Sequence, residues 1–186
     1  MDVKGAYDHV AKYRLYKILQ DLKLPINLIS WVSAFLVNRL LRLAFDGQTQ
    51  EFTTINSGVP QGSPVSPILF LIYIRDLFKS SDVVWISYVD DVSITVTSSS
   101  IKKNIKMLEA AAKRLYHLAE KNRIAFDLAK TDLMHWTLSH TANDAFLTLP
   151  NNDIVQPLQS VKWLGIYFDS ALNFKHHVAT MVAKAK

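Results

Sequence analysis

The stretch Val83-Val84-Trp85-Ile86-Ser87-Tyr88-Val89-Asp90-Asp91-Val92-Ser93-Ile94-Thr95-Val96-Thr97 decides the architecture. It is rich in β-branched and aromatic residues, which suit a pleated, half-buried surface. Its second half alternates, with Val92, Ile94 and Val96 on one face and Ser93, Thr95 and Thr97 on the other, the period of a strand. A hairpin follows from this pattern, with Val89-Asp90-Asp91 at or near its tip. Aspartate is common in ordinary turns, but those favour Asp-Gly or Asn-Gly. Here a hydrophobic valine precedes two like charges. Neighbouring carboxylates repel and raise one another's pKa unless a cation lies between them, so a divalent metal is the second reading of the pair.

Upstream, Met1-Asp2-Val3 reads as the end of a strand. If that strand lies beside the hairpin, Asp2 joins Asp90 and Asp91. Leu15, Ile18, Leu19 and Leu22 have helical spacing, and Pro25 opens a second helix with Ile26, Ile29, Val32, Phe35 and Leu36. Leu41, Leu43 and Phe45 alternate ahead of Asp46-Gly47, a favoured hairpin turn. The Gly-, Pro- and Ser-dense segment 58–67 leads into an apolar helix. Downstream of the hairpin, Ser100 offers an N-cap for a long helix. Its inner face is Ile101, Ile105, Leu108, Ala112, Leu115 and Ala119, and its lysines form a solvated outer face. Short strands are expected at Asp132–Leu138, Ile154–Gln156 and Val161–Phe168, then a helix from about Phe174. The whole is an α+β domain: a largely antiparallel sheet with helices packed on one face.

Composition narrows the chemistry. The 186 residues are 49% hydrophobic and 20% charged, the balance of one globular domain. The longest apolar run, Ile68 to Ile74, falls far short of the ~20 residues of a membrane span. No charged leader precedes an apolar stretch, so no secretory signal is expected and an intracellular protein is. Without cysteine there are no disulfides or thiolate sites, which leaves carboxylates and carbonyls as ligands for Mg²⁺ or Mn²⁺. The six histidines have no metal-ligand spacing, and His176-His177 receive no role. A net charge of +5 suits a polyanionic partner without specifying one.

Five segments, in order, resemble the motifs of reverse transcriptases, above all those of non-LTR (LINE-like) retrotransposons. Met1-Asp2-Val3-Lys4-Gly5-Ala6-Tyr7-Asp8 is similar to the first and Ser57-Gly58-Val59-Pro60-Gln61-Gly62-Ser63-Pro64-Val65-Ser66-Pro67 to the second. Tyr88-Val89-Asp90-Asp91 resembles the third, Phe126-Asp127-Leu128-Ala129-Lys130-Thr131 the fourth, and Trp163-Leu164-Gly165-Ile166 the primer-grip turn. The resemblance implies a polymerase palm over residues 1–186, with fingers expected before it and a thumb after it. It also implies two-metal nucleotidyl transfer: RNA template, DNA primer and deoxynucleoside triphosphates as partners, and nuclear action.

By that resemblance Asp2 and Asp90 bridge two Mg²⁺ ions, Asp91 stands nearby, and the Val3 carbonyl completes the shell. Tyr7 excludes a 2′-hydroxyl, or is simply a core aromatic. Gln61 and Gly62 approach the nucleotide and template, or form a plain turn before a helix. Lys130 protonates or stabilises the leaving pyrophosphate, or is a solvated surface lysine. Trp163, Leu164 and Gly165 support the primer end, with a buried strand as the other account of Leu164. Asp8 reads as a helix-start or structural carboxylate. The competing function is a non-catalytic relic of the fold that only binds nucleic acid.

Overall fold

In a computed structural model, residues 1–80, 82–137 and 145–185 are described. The chain runs β1 (Asp2–Lys4), α1 (Lys12–Asp21), α2 (Ile26–Leu36), β2 (Arg39–Leu41), β3 (Ala44–Phe45), β4 (Gln48–Thr49), β5 (Thr53–Ile55) and α3 (Ser66–Ile74). It continues with β6 (Val84–Tyr88), β7 (Asp91–Thr95), α4 (Ile101–Lys121), β8 (Ala125–Asp127), β9 (Leu147–Thr148), β10 (Ile154–Val155), β11 (Ser160–Trp163), β12 (Ile166–Asp169) and α5 (Lys175–Lys184). The class is mixed α and β. Among the described residues one four-stranded sheet has the order β6-β7-β1-β8, antiparallel throughout, and the remaining strands form two-stranded pairs. The expected antiparallel pairing is present, spread over several small sheets.

Strand alternation sorts the central sheet. Val3, Val92 and Phe126 point inward to the main core, where they meet Leu15 and Leu19 of α1, Phe70 and Ile74 of α3, and Leu115 of α4. Asp2, Asp91 and Asp127 therefore stand on the opposite face. Among these core residues Leu115 has no exposed surface, and its truncation to alanine would cost about 2–5 kcal/mol. The Tyr73 hydroxyl donates to the Asn122 carbonyl at 2.7 Å and accepts from the Ala11 N–H at 3.4 Å. One buried phenol thus ties α3 to the start of α1 and the end of α4. A second, smaller cluster of Leu133, Leu147 and Leu149 packs on Ile105 and Leu108, so α4 serves both cores.

Most expected elements are present, with instructive departures. Ser100 caps α4, accepting from the Lys103 N–H. Asp8 does not start a helix: α1 begins at Lys12, and Asp8 is exposed in a turn closed by its N–H to the Gly5 carbonyl. The strand expected over Asp132–Leu138 is reduced to one bridge from Leu133 to Pro157, and Leu138 lies outside the described residues. Val161–Phe168 is a hairpin, β11 and β12, rather than one strand. The alternating Leu41, Leu43 and Phe45 do form an arm with an Asp46-Gly47 turn. Among the described residues no core receives them, and Phe45 is 86% exposed. Among the described residues no helix is long and apolar enough to cross a membrane.

Candidate active site

The hairpin β6–β7 pairs Tyr88 with Asp91, which leaves Val89 and Asp90 as a two-residue turn. Such turns match the strand twist when the first central residue has positive φ, a position glycine usually takes. Here it is Val89, at φ 54°. A β-branched residue in that region carries strain of order 1–3 kcal/mol. Val89 packs against the main core, which holds the turn in place.

β1 then docks beside β7. The Val3 N–H donates to the Asp90 carbonyl at 3.1 Å, and the Val92 N–H donates to the Met1 carbonyl at 2.9 Å. These bonds flank the pair Asp2↔Asp91, making it the non-hydrogen-bonded kind, in which Cα atoms approach to about 4.5 Å and side chains lie closest. On its other edge β1 pairs Asp2 with Asp127 of β8. Three carboxylates therefore form a row across three adjacent strands, Asp91–Asp2–Asp127, with Asp90 on the turn beside it. Sequence reasoning placed Asp127 in the fourth motif without giving it a role, because only strand register aligns it with Asp2.

Charge chemistry follows from this crowding. Burial pushes the Asp91 carboxyl above its ordinary value, and the charges of Asp90 and Asp2 push it further. Lys130, on the short helical turn Leu128–Lys130, places its Nζ 2.6 Å from Asp2 Oδ2 and 3.7 Å from Asp127 Oδ2. Its ammonium is raised in pKa by the bond to Asp2 and by both carboxylate charges. Lys130 is thus exposed but engaged, unlike a free surface lysine.

A resident divalent cation is the group this site implies. The donors fit in chemical type and adjacency: hard oxygens, side by side, with one carboxyl already raised by its neighbours. As they stand, however, no three Asp, Glu or His side chains among the described residues gather around one point. At Asp2 one of the two carboxylate oxygens, Oδ2, is held by the Lys130 ammonium.

The other site residues divide into two groups. The loop holding Gln61 and Gly62 is anchored at its start: the Gly58 N–H donates to the Val10 carbonyl and the Val59 N–H to the Tyr7 carbonyl, both at 2.9 Å. Gly58 has φ 76°, and a Cβ there would lie 2.7 Å from the Tyr7 oxygen. Only glycine allows the loop so close to Tyr7. Arg39 Nη1 donates to the Gly58 carbonyl at 3.0 Å, and the buried Ser66 hydroxyl donates to that of Pro60. Gln61 and Gly62 themselves are exposed. Tyr7 is half-buried, its ring 5.6 Å from Phe70. Its hydroxyl is pushed up by burial and then by the charge of Asp90, so the aromatic belongs to the core yet reaches the acidic turn.

On the opposite side, a groove of about 1150 Å³ is lined by Asp2, Asp91, Lys130, Asn104 and Trp163. The Trp163 Nε1 is buried and has no hydrogen-bond partner among the described residues. The hairpin tip Leu164-Gly165 has φ 47° and 84°, the double positive of a tight turn. Leu164 is 43% exposed, so the buried-strand account of it does not hold. His176 and His177 have a structural use: the His176 ring meets Tyr167 edge-on at 4.8 Å, seating α5 on β12.

A strand end and a strained hairpin turn thus bring Asp2 and Asp91 side by side, with Lys130 bound to Asp2, and this is the candidate site. Residues 1–168 match the family described as reverse transcriptase (RNA-dependent DNA polymerase), and the chain belongs to it. Its relatives include the RNA-directed DNA polymerases from mobile element jockey of Drosophila funebris, 23% identical, and Drosophila melanogaster, 25% identical; each match covers 97% of this chain and 20% of the relative. The probable RNA-directed DNA polymerase from transposon X-element of Drosophila melanogaster is 24% identical over 96% of this chain and 20% of its own length. The chain therefore spans about a fifth of the length of these relatives, and its likeness to non-LTR retrotransposon enzymes holds.

Proposed function

We propose that the chain carries the catalytic palm of an RNA-directed DNA polymerase, adding deoxynucleotides to a primer 3′-hydroxyl on an RNA template. The observation that carries this reading is the backbone docking of β1 on the hairpin, which sets Asp2 beside Asp91 and bonds Val3 to Asp90. In the reaction the primer 3′-oxygen attacks the α-phosphorus of the incoming nucleotide, and the bond to pyrophosphate breaks. Asp2, Asp90 and the Val3 carbonyl would hold the divalent cations, with Asp91 beside them. Two bound Mg²⁺ ions would activate the hydroxyl and neutralise the leaving group, as metal pairs ~3.5–4 Å apart do.

Lys130 supplies positive charge, and a proton, to the departing pyrophosphate. Tyr7, near Asp90, lies under the sugar and excludes a 2′-hydroxyl. Gln61 and Gly62, exposed on an anchored loop, meet the nucleotide and template. The primer end lies in the groove lined by Asp2 and Trp163, and Leu164-Gly165 follows Trp163 at the tip of its hairpin.

The test is Mg²⁺-dependent primer extension on an RNA template, wild type against Asp90→Asn, with and without added upstream and downstream segments. Extension by the wild type alone supports the reading. If both proteins bind nucleic acid equally and neither extends a primer in either format, the chain is a non-catalytic binder. The one observation favouring that second reading is the Lys130–Asp2 ion pair, which occupies a needed ligand.

A further inference from the structure

We propose that Asp127 is a positioning residue for Lys130, the carboxylate that keeps the lysine over the sheet once Asp2 is engaged by a divalent cation. The inference rests on the polymerase reading above and concerns how its lysine and its ligand share one site.

Lys130 Nζ is 2.6 Å from Asp2 Oδ2, so in the state described here it competes with any cation for that oxygen. A divalent cation on the same carboxylate repels the ammonium and weakens its hold on Asp2. A lysine expelled into solvent would be lost to the leaving group, since its stem is flexible and its side chain largely exposed. Asp127 prevents that loss. It is the register partner of Asp2 on β8, which puts its side chain on the same face of the sheet. It also sits three residues before Lys130, across one helical turn, with its Oδ2 3.7 Å from the ammonium. The lysine therefore moves from one carboxylate to the next along the row, through a small rotation of its own stem, and remains beside the reacting phosphates.

A linkage follows. Of the two ion pairs that Lys130 makes among the described residues, removing the Asp127 charge leaves the one with Asp2, so the lysine holds that carboxylate harder against a metal. Binding of Mn²⁺ to the chain, followed by loss of the free-ion paramagnetic resonance signal, reads this without any turnover. Asp127→Asn should raise the Mn²⁺ midpoint about threefold, the scale of an exposed ion pair. The shift should vanish in a Lys130→Met background, and Asp127→Glu should restore the wild-type midpoint. Far-ultraviolet circular dichroism checks that all variants fold alike. An equal shift in both backgrounds would mean that Asp127 acts on the cation directly, and no shift in either would mean that it does nothing; each outcome overturns the proposal. Asp2→Asn separates the two levels. If it leaves Mn²⁺ binding unchanged, the polymerase reading falls and takes this inference with it. If it abolishes binding while the Asp127 and Lys130 effects are independent, only the positioning role is lost.

Discussion

Asp2 and Asp91 face each other across β1 and β7 in a non-hydrogen-bonded pair, two like charges at the closest approach an antiparallel ladder allows. Directly opposed like charges destabilise a sheet, so the arrangement works against the fold and for the site.

The pH dependence of Asp91 follows in sign. Its carboxyl is raised by burial, then by Asp90 and Asp2. A raised carboxylate favours the folded state most below the ordinary pKa, and that advantage is lost as pH rises through the folded value. At neutral pH without metal, Asp91→Asn should therefore stabilise the chain by about 0.2–1 kcal/mol in urea unfolding, after allowance for solvent screening. The gain should disappear in acid, and a variant less stable than wild type at pH 7 would contradict the crowding argument.

Lys130 should separate activity from stability. Its Nζ is solvent-exposed while bonded to Asp2. Lys130→Met should leave the urea midpoint essentially unchanged and lower kcat for primer extension by about 10²-fold, the usual scale of a lost proton donor. KM for deoxynucleotide should move little. A rise in KM alone would make Lys130 a binding residue.

How far these features could be read in advance depends on whether they are local. The alternation through Val92 and Ile94, the Ser100 cap and the Asp46-Gly47 turn are written within a few residues, and each is present. The role of Asp127 is set by pairing with a strand more than a hundred residues away, which no local pattern encodes. Phe45 shows the converse. Its alternation is that of a buried face, but burial needs a partner surface, and none meets it among the described residues. The Lys130–Asp2 bond was likewise invisible, since it depends on where β8 ends.

Gly58 joins the loop of Gln61 and Gly62 to the segment of Tyr7, and alanine there meets both positive φ and a carbonyl oxygen at 2.7 Å. Gly58→Ala should cost roughly 2–4 kcal/mol, combining backbone strain with displaced packing. Because the Val59 N–H bond to Tyr7 moves with it, discrimination between deoxy- and ribonucleotides should weaken in whatever protein still folds. Gly62→Ala is the control: it shares the positive φ, at 87°, but has open space around its Cβ, so it should carry the backbone strain alone and cost less. Equal destabilisation of the two variants would refute the close-approach argument.

At the second tight turn, Leu164 occupies a left-handed conformation that asparagine adopts more easily. Leu164→Asn would create Asn-Gly, the preferred pair for this turn, and should stabilise the chain by about 0.5–1 kcal/mol. If the exposed leucine serves the primer end, the same change should raise the KM for primer while thermal stability increases. A stabilised variant with unchanged primer KM would remove Leu164 from the site.

Asp169 anchors the start of α5. Its Oδ1 accepts from the Asn173 N–H at 3.0 Å and the Ala171 N–H at 3.1 Å, and its Oδ2 accepts from the Phe174 N–H at 2.7 Å. The Asn173 bond, with those from Phe174 and Ala171, holds the carboxyl below its ordinary value of 3.8. For a depressed carboxylate the sign is opposite to that of Asp91: its contribution is complete above the ordinary pKa and is lost as pH falls through the folded value. Hydrogen exchange of the α5 amides should therefore accelerate as pH is lowered below about 3.8, beyond the intrinsic pH trend. Asp169→Ala should bring that acceleration to neutral pH, leaving the β6–β7 amides protected. If α5 and the central hairpin open together in the variant, Asp169 supports the whole domain and not the seat of one helix.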